Sequence, residues 1–421
     1  METALEISAK EKFLLNFKNS EASNNEVVNQ LKKNATSSLA LLDFPTTKDE
    51  YWKYTRVAKI INQEFSLEPN VEVKLHAIDH YSSDSYKVVL VNGKLQSEKS
   101  ELPSGIKFVS FSDAENSELP LLGTIANHDK EIFTAINTAY FSEGYLVKVD
   151  DNMVLDKPIN IIHIITEKAV SLPRLLIHCG KHSKLQIIQE YVSQNVTSAL
   201  NNVVTETFLE DGAVLDMVKI QSEKNAFHIS NDYVSSKANA TFNHTVVTAD
   251  ASWVRNNSNL YINGSNAEMN LMGLYIGKEK SHIDNHTLIE HLQPHSNSNE
   301  LYKGILDDNS TGVFNGRVLV DKEAQQTNAF QANNNILLSK EAAVRSKPEL
   351  EIYADDVKCS HGSTTGQMDE EAVFYLRARG IKEENAVKLM LKAFVADTLS
   401  KIKDEELKDY IQDCILEPSL F

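Results

Sequence analysis

Thiolate, imidazole and carboxylate are the side chains that hold iron and zinc. The stretch "YADDVKCSH", residues 353–361, carries all three, in Asp355, Asp356, Cys359 and His361. In an extended chain alternate side chains share a face. That spacing predicts Asp355, Val357, Cys359 and His361 on one surface, with Asp356, Lys358 and Ser360 on the other. Residue types and spacing alone favour a plain strand end over a metal or sulfur site.

A second group, His282, His286, His291 and His295 in "HIDNHTLIEHLQPH", lacks the His-Glu-x-x-His order of metalloproteases. It lies among strand patterns, where solvated or hydrogen-bonded histidines are expected. "GLYIGKEK" at 273–280 has one residue too few between its glycines for a phosphate loop, and Glu279 where Ser or Thr belongs. Any nucleotide hydrolysis must therefore come from another subunit. Cys179 falls at a turn, and Cys414 in a terminal amphipathic helix where a small buried thiol is the default. No G-x-S-x-G elbow occurs.

The elements that must position these residues change character along the chain. The first 65 or so residues read as helices, with Leu14, Leu15 and Phe17 before the polar stretch "KNSEASNNE". "KDEYWKYTRVAKIINQEF" follows Pro45, and its aromatic stripe of Tyr51, Trp52 and Tyr54 is expected to pack in a core. Asn92-Gly93 predicts a hairpin. From about residue 145 to 369, β-rich runs alternate with Gly, Asn, Asp and Ser turns. A turn, a small residue and then alternating apolar positions recur at Ser183, Ala213, Ala240, Ala267, Gly312 and Ala343, with steps of 30, 27, 27, 45 and 31 residues. Such a step suggests one coil per repeat of a β-solenoid, the 45-residue step being a coil with an insertion or two short coils. A β-sandwich shares the short turn spacing. The tail from Asp369 is helical. In it Ala386, Leu389, Met390, Ala393 and Phe394 form one apolar stripe and Leu391, Val395 and Leu399 a second. Two stripes need two partners, the chain's own core or another protein.

The 421 residues are 42% hydrophobic and 24% charged, the composition of a soluble globular protein. A net charge of -17 argues against nucleic acid or an anionic membrane surface as the partner. Three distant cysteines make no disulfide framework and suggest a reducing compartment, with cytoplasm the expected setting. The N-terminal residues "METALEISAKEKFLLNF" lack the apolar run of a secretory signal, and no run is long enough to span a bilayer.

Read at full length, "KPELEIYADDVKCSHGSTTGQMDEEAVFYLRARGI" resembles the C-terminal signature of the SufB/SufD family of iron–sulfur cluster assembly scaffolds, on its SufD side. "KDEYWKYT" near residue 50, "IFTAINTAYFSEGYLVKV" at 132–149 and "HIDNHTLIEHLQPHSNSNELYKGIL" at 282–306 match the same family. The resemblance runs from about residue 45 to the end. It implies a mainly β fold, a right-handed parallel β-helix flanked by helical domains. The divisions expected are a helical or mixed domain over 1–145, the β-helix core over 146–368 and a helical domain over 369–421. It further implies a non-catalytic scaffold that pairs with the paralogue SufB and binds the ABC-type ATPase SufC through its C-terminal helices. Phe374, Leu389, Met390 and Phe394 would then contact the ATPase. His361, with Cys359 as the weaker candidate, would meet a transient iron–sulfur cluster or Fe(II) shared with the partner. A homodimer when alone and a flavin in the complex stay open. The rival readings are a structural adaptor that touches no iron, and a β-helix carbohydrate-active enzyme using Asp355 and Asp356. Adjacent strand residues point to opposite faces, poor geometry for an acid–base pair.

Overall fold

The structure, a computed structural model, describes residues 8–17, 23–66, 73, 80–101 and 105–420. Residues 18–22 of the polar stretch after Phe17 lie outside the described residues, as do the first seven of the N-terminal run. Two ten-stranded sheets run along a parallel solenoid of about eight rungs. One begins with the hairpin of β1 (Tyr86–Val91) and β2 (Lys94–Leu95), turned at Asn92 and Gly93 with φ of 49° and 84°. Parallel strands β5 (Ile159–Ile165), β8 (Lys184–Ser193), β10 (Val214–Ser222), β12 (Thr241–Thr248), β14 (Glu268–Gly277), β16 (Asn297–Leu306), β18 (Thr327–Leu337) and β20 (Val357–Gln367) continue it. The facing sheet starts with β3 (Lys107–Ser110) antiparallel to β4 (Gly144–Val149). It proceeds in parallel through β7 (Arg174–Cys179), β9 (Ala199–Leu209), β11 (Ala226–Ser236), β13 (Trp253–Ile262), β15 (His282–His291), β17 (Thr311–Val320) and β19 (Ala343–Ile352), with β6 (Val170–Ser171) beside β9.

Each rung turns a corner in the same way. Lys184, Val214, Thr241, Glu268, Asn297, Asn328 and Lys358 stack in one column. The residue before each of the first six is small and buried: Ser183, Ala213, Ala240, Ala267, Ser296 and Thr327. Preceding that, His182, Gly212, Asn239, Asn266, His295 and Gln326 all adopt positive φ, between 56° and 71°. A left-handed residue reverses the chain and a small one lets it turn inward, a demand that Gly and Asn meet at least steric cost. The repeat inferred from spacing needs one correction. Gly312 and Ala343 lie in β17 and β19, on the opposite sheet, so the 45-residue step holds no insertion. Ser296 and Thr327 are the true corners, hidden because a hydroxyl replaces the alanine methyl.

Inside the stack, Tyr275 and Tyr302 are fully buried and lie over glycines of neighbouring rungs. A Cβ on Gly273 would meet the Tyr302 ring at 2.1 Å, and one on Gly304 the Tyr275 ring at 2.4 Å. This explains the glycines of "GLYIGKEK" without phosphate: Gly273 makes room for the Tyr302 ring, and Gly277 for Leu306 and Ser310.

Both outer faces are apolar and covered by helices. The face of the second sheet, through Leu146, Leu176, Leu200, Ile229 and Trp253, meets the N-terminal segment and α4 (Ile132–Tyr140). That segment contains α1 (Ala9–Leu14), α2 (Glu26–Leu41) and α3 (Ala58–Ile61). Asn137 of α4 donates to the carbonyls of Pro173 and Asn202 at 3.0 and 2.7 Å. A wholly buried pair, Arg174 and Glu206 at 2.5 Å, adds a second anchor. Glu206 also accepts from the backbone N–H groups of Gly123, Ile125 and Ala126, so the carboxylate is saturated and its burial compensated. Of the expected aromatic stripe only Trp52 is buried; Tyr51 and Tyr54 are 48% and 44% exposed. A short 3-10 turn over Glu50–Trp52, not a full helix, presents them to different sides.

The first sheet's outer face, through Ile188, Val218, Ile220, Val247, Leu274 and Ile305, packs on the tail. The tail comprises α5 (Glu370–Ala378), α6 (Glu383–Val395), α7 (Glu405–Tyr410) and α8 (Glu417–Leu420). Leu391 and Val395 bury against the sheet, while Phe374 and Leu389 stay 69% and 50% exposed. Lys303 fastens α6, donating to the Phe394 carbonyl and to Asp397, each at 2.7 Å. Among the described residues no helix is long and apolar enough to cross a membrane.

The glycine contacts set a direct comparison. Gly273→Ala is expected to destabilise the fold by about 1–3 kcal/mol through overpacking against Tyr302. Gly366, whose added Cβ would meet nothing within 4 Å, should accept alanine with little change. Thermal melts of the two variants check this.

Candidate functional site

The solenoid ends without a cap on its last rung. Among the described residues β20 pairs only with β18, and β19 only with β17, so each leaves one strand edge unpaired there. Along β20, Cys359 stacks over Ala329, His361 over Gln331 and Ser363 over Asn333. Their side chains follow the inward columns of the solenoid, but no further rung covers them. Cys359 is half-buried against the core beside Val357. Burial raises its thiol above the usual range, partly offset by a hydrogen bond from the Ala329 backbone.

His361 is exposed, and its Nδ1–H donates to the carbonyl of Pro348 on β19 at 3.1 Å. A carbonyl only accepts, so Nδ1 carries a proton, and Nε2 is the ring nitrogen left for a metal. The Ser363 hydroxyl likewise reaches Ser346 across the mouth at 2.8 Å. Pro348 suits this edge, since a terminal strand has no neighbour that needs its N–H.

The extended reading of residues 353–361 is right for Cys359 and His361 and wrong for the aspartates. β20 begins at Val357, and both Asp355 and Asp356 lie exposed in the corner before it. There the Asp356 carbonyl accepts from the Gln326 N–H at 2.6 Å, closing the turn. Among the described residues no three His, Cys, Asp or Glu side chains gather as a metal site. Cys359 and His361, two residues apart on one face, fit iron chemically but supply only part of a coordination shell.

The histidines of β15 are engaged elsewhere. Asp284 Oδ1 pairs with His286 Nε2 at 2.9 Å and Oδ2 accepts from Arg255 at 2.6 Å and Thr55 at 2.5 Å. Thr55 also meets His282 at 2.9 Å, and the Arg255 guanidinium stacks 3.8 Å from the Trp52 ring centroid. Burial raises the Asp284 carboxyl, but His286 and Arg255 outweigh it and hold the group below its usual range. The cluster docks "EYWKYT" onto the sheet. A half-open cavity of about 620 Å³ beside it is lined by Tyr51, Asn231, Tyr233, Arg255 and Arg317, away from the solenoid mouth.

Two groups that residue spacing missed belong to the mouth: Pro348, and Gln331 with Glu300 beneath it. Carrying the 27–31-residue step forward from Glu300 would have revealed the second. Cys179 is wholly buried, its thiol pushed up to about 12 by burial, whereas Cys414 is exposed, contrary to the buried thiol expected in the tail. The π-helical stretch Ile411–Leu416 turns it outward.

The fold defines the class first: a parallel β-solenoid with helices on both faces and an open terminal rung. Residues 163–394 match the family described as SUF system FeS cluster assembly, SufBD core domain, and residues 9–161 match the SufBD protein N-terminal region. The chain belongs to the SufBD family of iron–sulfur cluster assembly proteins and is SufD-like. It is 30% identical over 376 residues to iron–sulfur cluster assembly protein SufD of Escherichia coli, covering 87% of each chain. An iron–sulfur cluster assembly SufBD family protein of Synechocystis is 28% identical over 405 residues, covering 91% of this chain and 89% of that relative.

Burial ranks the three thiols. Alkylation of the native chain at pH 8 is expected to modify Cys414 first, Cys359 more slowly and Cys179 only on unfolding. Because the Cys359 thiol lies above its ordinary value, its rate should still be climbing above pH 8.5. Mass-spectrometric labelling time courses measure both.

Proposed function

We propose that the chain is a non-catalytic scaffold subunit of the SUF system whose open terminal rung joins a SufB-type solenoid and shares a nascent cluster or Fe(II) with it. One observation carries the reading: an imidazole whose Nδ1 is tied to Pro348 stands with Nε2 free on an unpaired strand edge. Unpaired strand edges associate unless something covers them, and a second solenoid supplies a matching edge. Two donors on this side leave the remaining ligands and the sulfur to the partner. An incomplete shell on each side also keeps the cargo labile. Cys359 must lose a proton to bind iron, so its contribution weakens as pH falls.

The exposed Phe374 of α5 and Leu389 of α6, flanked by half-buried Met390 and Phe394, offer an apolar surface to an ABC-type ATPase, SufC in the SUF system. ATP hydrolysis belongs to that subunit. Movement of α5 and α6 would reach the solenoid through Lys303 and the packed face of α6. The setting is a reducing one such as cytoplasm.

In the reconstituted assembly, His361→Ala is expected to lower cluster formation at least tenfold while leaving the fold intact, read by anaerobic absorbance and circular dichroism. Unchanged cluster formation would remove the site assignment. Phe374→Glu with Leu389→Glu should abolish ATPase binding by size-exclusion or calorimetry without lowering the melting temperature, since both side chains are exposed in the free chain.

A further inference from the structure

The inward column that ends at His361 contains, from the interior outward, His244, Leu271, Glu300, Gln331 and His361. Glu300 is 1% exposed and lies two rungs, roughly 10 Å, beneath the imidazole. Its Oε1 accepts from Thr287 at 2.5 Å and its Oε2 from the Gln331 amide at 2.7 Å. Among the described residues it has no cationic partner. Inside the solenoid Asp232 is matched by Lys219 and Glu223 by His228, whereas Glu190, under the tail on the outer face, is held by the neutral donors Asn160, Tyr81 and Tyr410. A glutamine at 300 would carry no buried charge and keep one of these bonds, with Thr287 or Gln331 turned to accept its amide N–H. An unmatched charge kept where a neutral isostere fits points to a use outside the resting fold.

Resting on the reading that His361 meets iron, we propose that Glu300 is the interior counter-charge for the cation on the terminal rung, a positioning residue acting through Gln331. Gln331, held by its amide to the carboxylate, leaves its own Oε1 buried without a partner directly beneath the imidazole rung. Carboxylate and amide oxygen together direct negative potential up the column toward the mouth, the nearest place along it open to solvent.

The other groups around Glu300 do not cancel this field. On its own strand stands Tyr302; from the facing sheet come Thr287 and Asn285; the rung below contributes Leu271 and Gly273. None of these carries charge near neutral pH. His244, two rungs down, is pushed to about 4 by burial and is neutral there. Lys219 and Asp232 neutralise one another. Burial, partly offset by the Thr287 and Gln331 hydrogen bonds, lifts the Glu300 carboxyl to about 7. In the absence of a cation it therefore holds its proton more tightly than an ordinary carboxyl, and a cation at His361 favours release of that proton.

Two measurements on the full chain test this, one without any metal. A carboxyl raised in the folded state adds stability below its unfolded value, and that stability is lost as pH rises through about 7. Glu300→Gln should therefore raise the melting temperature at pH 8 and leave it unchanged at pH 5. Thr287→Val, which removes a donor to the carboxylate, should move the wild-type inflection to higher pH. Co(II) then probes the mouth by its visible spectrum. Wild-type affinity is expected to rise between pH 6 and 8, and Glu300→Gln to bind roughly tenfold more weakly at pH 8 with a flatter profile. Equal Co(II) affinity in a folded Glu300→Gln variant, or no pH-dependent melting difference, overturns the inference. Cobalt binding that survives His361→Ala, or is absent from the wild type, overturns instead the assignment of the mouth on which it rests.

Discussion

Stacking in register governs this molecule. From β5 and β4 onward each strand meets the same position of the strand one coil earlier, so each side chain's neighbours are set 26 to 32 residues away. The arrangement lets a β core hold many polar groups, because a donor on one rung finds its acceptor on the next. Thr248 reaches Gln221, and Asn256 reaches Asn285, at 2.6 and 3.0 Å. It also makes both outer faces continuous apolar strips that must be covered, which is why helices from the two ends of the chain lie on opposite sheets.

A stack must also stop. Where it stops, inward-pointing residues that would be core elsewhere become surface. Cys359 and His361 occupy the columns filled below them by Ala329 and Gln331, yet they have no rung above. A functional residue at such a mouth inherits the rigidity of the whole solenoid without its burial. The Pro348 carbonyl sets its tautomer and the polar column beneath sets its field. The tail works in the opposite sense, with one stripe of α6 spent on the sheet and Phe374 and Leu389 kept free at the surface.

Much of this was legible in residue order. The small corner residues at Ser183, Ala213, Ala240 and Ala267, the Asn-Gly hairpin and the two-sided tail helix all follow from steric demands that act over a few residues. The shared face of Cys359 and His361 follows from strand alternation. Other features were legible only in part. Ser296 and Thr327 escaped because they perform alanine's role with a hydroxyl, and Tyr51 and Tyr54 were assigned to a core that holds only Trp52. Asp355 was counted on a strand that begins two residues later, because corner and strand share the same polar residue types.

Local chemistry by itself therefore determined the turn at each corner and the shared face of thiol and imidazole, since each depends on steric rules and alternation within one coil, while the repeat step fitted a solenoid and a sandwich alike. Only the tertiary structure decided that this pair stands at an uncovered end, that Pro348 orients the ring, and that Glu300 lies beneath it without a cation. Those facts depend on which coil is last and on contacts across 13 to 31 residues of chain, from Pro348 to His361 and from Glu300 to Gln331. Stacking brings such residues together, and separation along the chain conceals it.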